Sequence, residues 1–232
     1  MARPQRRLVQ RRLVVLARWP APGRCKRRLA ASCGCSSAAA AVQNALTVHT
    51  LAVAKAATGQ ADAHLCLAID GLGPRGIQRW GRSLGVSHCH GQGDGGLGCR
   101  MQRQLQGAFR CGAEQVVLIG SDLPRIENGD ITAAFEALEE QPLVLGPARD
   151  GGYWLIGLNR AGFERAGARL MAGMPWGGPQ VLKRTLAAAE TLGLEAGLLR
   201  LQSDLDRRTD LTPWQGHRHQ ARLIGSTRSG VA

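Results

Sequence analysis

The chain has 232 residues, 44% hydrophobic and 4% aromatic, with a formal net charge of +13. That hydrophobic share supports a packed core and excludes a disordered chain. The few aromatics and the scatter of the arginines argue against a nucleic-acid platform, so anionic small molecules such as nucleotides are the expected partners of the charge.

The densest basic cluster, residues 3–12, precedes the first apolar run and reads as an N-terminal arm, residues 1–11. Residues 12–17 (RLVVLA) read as the first strand. It runs into Arg18-Trp19-Pro20-Ala21-Pro22-Gly23-Arg24-Cys25-Lys26-Arg27-Arg28, where two prolines and a glycine predict a rigid loop. Cations crowded after a strand suit a polyphosphate, with Arg as a bidentate partner and Lys as a point charge. The loop is neither a P-loop nor a dinucleotide fingerprint. An Ala-rich helix is expected at 36–58, interrupted by Gln43, Asn44, His49 and Lys55. A strand follows at 63–69, a helix at 74–84 and a short strand at 86–90. Residues 91–98 then hold five glycines, which let a backbone approach a ligand closely. The helix expected at 97–112 turns its N-terminus toward that loop, an arrangement that suits an anion.

The run Val116-Val-Leu-Ile119 reads as a strand buried on both faces. Gly120 and Pro124 end it, with Asp122 between them. A carboxylate at the carboxyl end of a central strand sits where open α/β sheets bind ligands and can hold a divalent ion. It can equally cap the helix expected at 128–140. A strand at 143–145 meets the turn signal Asp150-Gly151-Gly152, and 153–158 resumes as a strand, so the two are expected to be neighbours across a reversal. Helices at 161–171 and 179–192 and a strand at 196–201 lead to the carboxylates Asp204 and Asp206. Residues 221–232 read as a polar tail.

The β-loop-α alternation runs without a linker and predicts one α/β domain, residues 12–220, with a mainly parallel sheet. The ligand-type loops all follow strands and are expected to gather on one edge. Cations for phosphate, glycines for a base or sugar and two carboxylates for Mg²⁺ or Mn²⁺ make a coherent nucleotide site. No run of about 18 apolar residues predicts a membrane span, and residues 13–17 are too short for a signal-peptide core. Cytoplasm is therefore the expected compartment. The seven cysteines include no C-x-x-C pair. Neither Cys33-Gly34-Cys35 with Cys25 nor His88-Cys89-His90 matches zinc spacing, so they read as core and loop residues.

The segments ARWPAPGRCKRRLA, QGDGGLGCRM, VVLIGSDLP, GPARDGGYWLIGL and DLDRRTDL, in that order, resemble the transferases associated with radical SAM and selenium-domain proteins. That family is also named for arsenosugar biosynthesis. It lies in the nucleotide-diphospho-sugar transferase (GT-A) superfamily and is similar to the phospholactate guanylyltransferases. The resemblance spans about residues 13–211. It implies a single-domain GT-A fold: a seven-stranded, mostly parallel sheet with one reversed strand between two helix layers. It further implies that Lys26 and Arg28 bind phosphate, with Arg27 where the family has Thr. Gln92 and Gly98 would meet the base, with Gly96 where the family usually has Asp; Arg18 and Arg100 complete the expected nucleotide contacts. Asp122 and Asp206 would hold Mg²⁺ or Mn²⁺. Asp150, Gly151 and Gly152 would lie in the loop that meets the sugar or the small acceptor. From the residues themselves, Gly151, Gly152 and Tyr153 are expected to line that side, and Asp150 is the candidate catalytic residue: it can hydrogen-bond a sugar hydroxyl, serve as base for an acceptor hydroxyl, or equally just shape the hairpin.

Three functions follow. The favoured one is metal-dependent transfer of a sugar from a nucleotide sugar. The second is nucleotidyl transfer from a nucleoside triphosphate with release of pyrophosphate. The third is a non-catalytic nucleotide or nucleic-acid binder, which the pair Asp122 and Asp206 disfavours.

Overall fold

The computed structural model describes residues 10–211. Residues 1–9 of the expected basic arm and the expected polar tail, 221–232, lie outside the described residues.

The strands are β1 (Arg11–Arg18), β2 (Ala63–Asp70), β3 (Cys89–Gly91), β4 (Gln115–Gly120), β5 (Leu143–Pro147), β6 (Tyr153–Asn159) and β7 (Ala196–Leu198). They form one sheet in the order β3-β2-β1-β4-β6-β5-β7. Only β6 runs antiparallel to its neighbours, β4 and β5. The other pairings are parallel.

The helices are α1 (Arg27–Cys33), α2 (Ser36–Ala61), α3 (Pro74–Ser83), α4 (Leu97–Arg110), α5 (Asn128–Glu140), α6 (Arg160–Ala166) and α7 (Val181–Thr191). Strand side chains alternate between faces. Leu13, Val15, Ala17, Val117 and Ile119 pack with Leu51, Trp80 and Phe135 of α2, α3 and α5. Val14, Val116 and Leu118 pack with Leu105 and Phe109 of α4, Ala166 of α6 and Ala189 of α7. Both faces are thus covered, which is why β4 reads as an unbroken apolar run. Val116, Val117, Leu118 and Ile119 are at most 1% exposed, and each such burial contributes about 1.5–3 kcal/mol.

Several local outcomes differ from expectation. The strand expected at 86–90 is β3, Cys89–Gly91, and the strand expected at 196–201 is shorter, Ala196–Leu198. The basic loop after β1 turns helical at Arg27 as α1, because Leu29 finds a remote apolar pocket of Ala39, Val42, Leu46 and Leu205. Asp122 does not cap α5; that helix starts with a capping box between Glu127 and Asp130. The helix expected at 161–171 breaks after Ala166 into a 3-10 turn, Gly167–Met171. The reversal at 148–152 does join antiparallel neighbours, β5 and β6. All seven cysteines are free.

The topology positions the site. From β1 the chain moves outward to β2 and β3, then returns through α4 to β4 on the other side of β1. The carboxyl ends of β1 and β4 therefore flank a switch point, where crossovers diverge and leave a crevice.

Candidate active site

A cavity of about 750 Å³ opens at that edge. Its lining includes Arg18, Lys26, Arg28, Gln92, Arg100, Asp122, Asp150, Gly152, Tyr153 and Asp206. Two expected contacts are not among the lining residues. Gly98 lies under Trp176, where a Cβ would meet the indole Nε1 at 2.6 Å. Gly151, at φ +88°, lies against Pro179. Their missing side chains make room for protein, not for a ligand.

Lys26 is the hinge between β1 and α1. It adopts left-handed φ 46° and ψ 47°, a conformation disfavoured for a side chain with a Cβ and typical of over-determined functional positions. Its buried ammonium lies 3.1 Å from Asp122 Oδ2 and donates to Leu205 O at 2.5 Å. The Leu205 amide donates in turn to Asp122 O at 3.0 Å. The loop after β1, the end of β4 and the segment after β7 are thereby tied at one point. Leu205 is fully buried against α1 and α2, which aims its flanking carboxylates, Asp204 and Asp206, at the cavity they both line.

Arg28 Nη1 donates to Asp206 Oδ2 at 2.8 Å. The Asp206 and Arg207 amides donate to Asp210 Oδ2 at 3.0 and 2.7 Å and shape the turn that carries Asp206. Burial pushes the Asp204 carboxyl up, and Asp150 and then Asp206 push it further, against Lys26. Upstream, Asp130 at the start of α5 holds this segment: Arg200 donates to it through Nε and through Nη2 at 2.7 Å, and Gln202 Nε2 at 3.0 Å.

Asp70 ends β2 and holds two more cations. Arg18 Nε and Arg100 Nη1 each lie 2.9 Å from its Oδ2. Burial raises the Asp70 carboxyl, but the two guanidiniums outweigh it and hold it below the usual carboxylate range. Arg100 Nε also donates to Gly95 O at 2.9 Å, and Arg103 donates to Gln92 O and Asp94 O. The glycine loop is thus folded around two arginines. Gln92 secures its base: the buried amide donates to Ala17 O at 3.1 Å and to Ala68 O at 3.0 Å. Both of its N–H groups are spent on the sheet, so it builds the loop from below. Gly96 caps α4 without a side-chain bond, leaving the first-turn amides of a 14-residue helix beside the cavity.

On the opposite wall, Asp150 Oδ1 accepts from the Gly152 amide at 2.9 Å, so Asp150 both shapes the turn and lines the cavity. Tyr153 and Trp176 meet edge to face with centroids 6.1 Å apart. Burial pushes the Tyr153 phenol well above its ordinary range, and its buried hydroxyl has no hydrogen-bond partner among the described residues, so it stays neutral.

Among the described residues, no three His, Cys, Asp or Glu side chains gather as a metal-binding group. Two carboxylates on one cavity are still the donor set that suits Mg²⁺ or Mn²⁺ brought in on phosphate oxygens, since Mg²⁺ is commonly held by one or two carboxylates plus substrate. Burial first, and then the nearby carboxylates Asp150 and Asp206, raise the Asp204 carboxyl beside them. The residues present fit such an ion.

Sequence reasoning missed Gln43, Asp70, Ser121 and Trp176, all of which line the cavity. The signal for Gln43 was an amide on the apolar stripe of α2. Asp70 stood, like Asp122, at a strand's carboxyl end.

Residues 50–178 match the family described as uncharacterized proteins conserved in bacteria, DUF2064. The phosphoenolpyruvate guanylyltransferase of Chloroflexus aggregans is 33% identical over 109 residues, 45% of this chain and 48% of that one. The chain thus aligns with about half the length of this curated relative. A Desulfovibrio desulfuricans G20 crystal structure, named as a candidate nucleotide-diphospho-sugar transferase, superposes with a TM-score of 0.76 at 25% identity, covering 94% of this chain and 98% of that chain. CMP:2-keto-3-deoxy-manno-octonic acid synthetase in complex with CTP superposes with a TM-score of 0.57 at 12% identity, covering 91% and 99%; this is likeness of fold alone. The chain belongs to the DUF2064 family and has the single-domain fold of the nucleotide-diphospho-sugar transferases.

Proposed function

We propose that the protein is a metal-dependent nucleotidyltransferase. It would move a nucleoside monophosphate from a nucleoside triphosphate to an oxygen of a small acceptor and release pyrophosphate. One observation carries this reading: the segment from the loop after β1 into the first turn of α1 sets Lys26 against Asp122 and Arg28 against Asp206 within a single cavity. Cations and carboxylates interleave there as a triphosphate and its metal require.

The sequence favoured sugar transfer, and both reactions use this fold. The crowding of cations around the carboxylates supports nucleotidyl transfer. Arg18, Arg24, Lys26, Arg27, Arg28 and Arg100 line the cavity together with five aspartates, Asp70, Asp122, Asp150, Asp204 and Asp206. A departing pyrophosphate needs more compensation than a nucleoside diphosphate. The relative named as a guanylyltransferase supports the same choice. The motif resemblance to radical SAM-associated transferases is compatible with either donor.

In this reaction the acceptor oxygen forms a bond to the α-phosphorus. The bond from that phosphorus to the α–β bridging oxygen breaks, and its electron pair leaves with pyrophosphate. Arg18 and Arg100, oriented by Asp70, and the first turn of α4 would bind the nucleotide's phosphates. Lys26 and Arg28 would take the charge that grows on the leaving group. Asp150 would accept the proton of an acceptor hydroxyl. A divalent ion on Asp122 and Asp206 would neutralise phosphate charge. Tyr153 and Trp176 would exclude water beside the acceptor.

The test is product identity. Purified protein, each common nucleoside triphosphate, Mg²⁺ or Mn²⁺ and candidate acceptors should yield pyrophosphate and a nucleotide-bearing acceptor by mass spectrometry. Release of nucleoside diphosphate from a nucleotide sugar, with no pyrophosphate from any triphosphate, would return the protein to sugar transfer.

A further inference from the structure

Gln43 lies on α2, seven residues after the helix begins. It is 3% exposed, and its neighbours Ala39, Val42 and Leu46 are core residues of the pocket that receives Leu205. A buried amide there must recover the hydrogen bonds it loses to water. It does so on the site. Gln43 Nε2 donates to Asp122 Oδ1 at 3.1 Å and to Ser121 Oγ at 3.3 Å. The Thr47 hydroxyl, one turn on, donates to Gln43 O at 3.0 Å and lies 3.5 Å from Nε2.

We infer that Gln43 is a positioning residue for Asp122: it fixes the rotamer of that carboxylate and directs one oxygen into the cavity for a divalent cation. This inference rests on the reading of Asp122 as a metal ligand. Three features carry it. First, the two Asp122 oxygens have separate partners: Oδ1 takes the Gln43 amide, and Oδ2 faces Lys26. One oxygen is thus anchored from the core while the other meets the group that a metal would displace. Second, the orientation of the amide is dictated by its surroundings. A flipped Gln43 would set its carbonyl against a carboxylate oxygen, acceptor against acceptor. Third, the donor is neutral. A second lysine in this place would add to the charge that Lys26 already sets against Asp122; an amide orients the carboxylate without adding to it. Outer partners of this kind commonly change metal affinity or activity by about 10–100-fold when removed.

The experiment compares wild type, Gln43→Met, Gln43→Leu and Asp122→Ala. Mn²⁺ binding is followed by electron paramagnetic resonance with a non-hydrolysable nucleoside triphosphate analogue present. Affinity for the analogue without metal and the thermal midpoint are measured for each protein. Both Gln43 variants should bind Mn²⁺ about 10–100-fold more weakly, with metal-free analogue affinity unchanged. A purely structural role would lower the thermal midpoint without this selective loss of metal. Wild-type Mn²⁺ affinity in whichever Gln43 variant folds, alongside loss of Mn²⁺ in Asp122→Ala, would overturn the positioning role and leave the metal reading standing. Retention of Mn²⁺ by Asp122→Ala would overturn both.

Discussion

Lys26 and Leu205, 179 positions apart, are joined by a 2.5 Å hydrogen bond from a buried ammonium to a backbone carbonyl. The same ammonium lies 3.1 Å from Asp122, so one cation of the cavity ties together two carboxylate-bearing segments. Lys26→Met removes the donor while keeping most of the side-chain volume. The variant should lose about 1–3 kcal/mol of stability, the cost of leaving a buried acceptor unsatisfied. Its triphosphate affinity should fall as well. Urea denaturation and a nucleotide titration read the two effects separately; a stable variant would mean that Leu205 O finds another donor.

In the proposed metal site, the ion pairs Lys26–Asp122 and Arg28–Asp206 would set the order of events on binding. A metal arriving alone would have to displace cations from both carboxylates. A metal arriving with triphosphate supplies anions to which those cations can turn. Mn²⁺ should therefore bind much more tightly with a triphosphate analogue than without one. Arg28→Ala should bind free Mn²⁺ severalfold more tightly than wild type, yet bind the metal–nucleotide complex more weakly. Equal Mn²⁺ affinity with and without the analogue, by calorimetry, would contradict this exchange.

Asp70 makes stability depend on pH with a defined sign. Its folded carboxyl is held below the ordinary value of 3.8 by Arg100 and Arg18, which outweigh its burial. A carboxyl of depressed pKa contributes stability above its unfolded value, and that contribution is lost as pH falls through the folded value. Asp70→Asn should therefore lower the thermal midpoint at neutral pH. The gap from wild type should close once the pH is well below 3.8. A gap that stays constant from neutral pH to acid would remove the ion pairs as its source.

Adjacent glycines in the turn before β6 should behave differently. Gly151 has φ +88°, and a Cβ there would stand 2.0 Å from Pro179 O. Gly151→Ala should lose at least about 1–2 kcal/mol from backbone conformation alone, and more from the clash. At Gly152 a Cβ would come 3.2 Å from Asp150 Oδ1 without unusual φ. Gly152→Ala should fold nearly as well as wild type but shift Asp150, so its loss should appear in turnover. Thermal midpoints and initial rates of the two variants separate these effects.

Much of this architecture was legible because it is local. The alternation of apolar runs and helical segments predicted a parallel α/β sheet, and α5 begins and ends where its pattern does, at Asn128 and Glu140. Asp122, Asp150 and Asp206 stood at strand ends, and such ends converge in this kind of sheet. What escaped depends on remote partners. Helix α1 looked like loop because prolines and cations precede it; Leu29 anchors it in a pocket made by Ala39, Val42 and Leu46 and closed by Leu205 from the far end of the chain. Gln43 looked like an interruption in an alanine-rich helix; only the end of β4 explains an amide there. Gly98 and Gly151 suggested open backbone, and the space beside them is filled by Trp176 and Pro179.

The burial of Leu205 also has a consequence for synthesis. Translation delivers the chain from its amino end, and domains begin to fold in that order. All seven strands precede Leu205, so the sheet can assemble while the apolar pocket on α1 and α2 still waits for its plug. Until that residue emerges, Lys26 lacks its carbonyl partner, Asp206 is absent and the pocket on α1 and α2 stays open on one side. A nascent chain therefore has its sheet before the rim of its cavity is complete. The rim closes in one late step, when a single leucine seats and brings its two neighbouring aspartates to it.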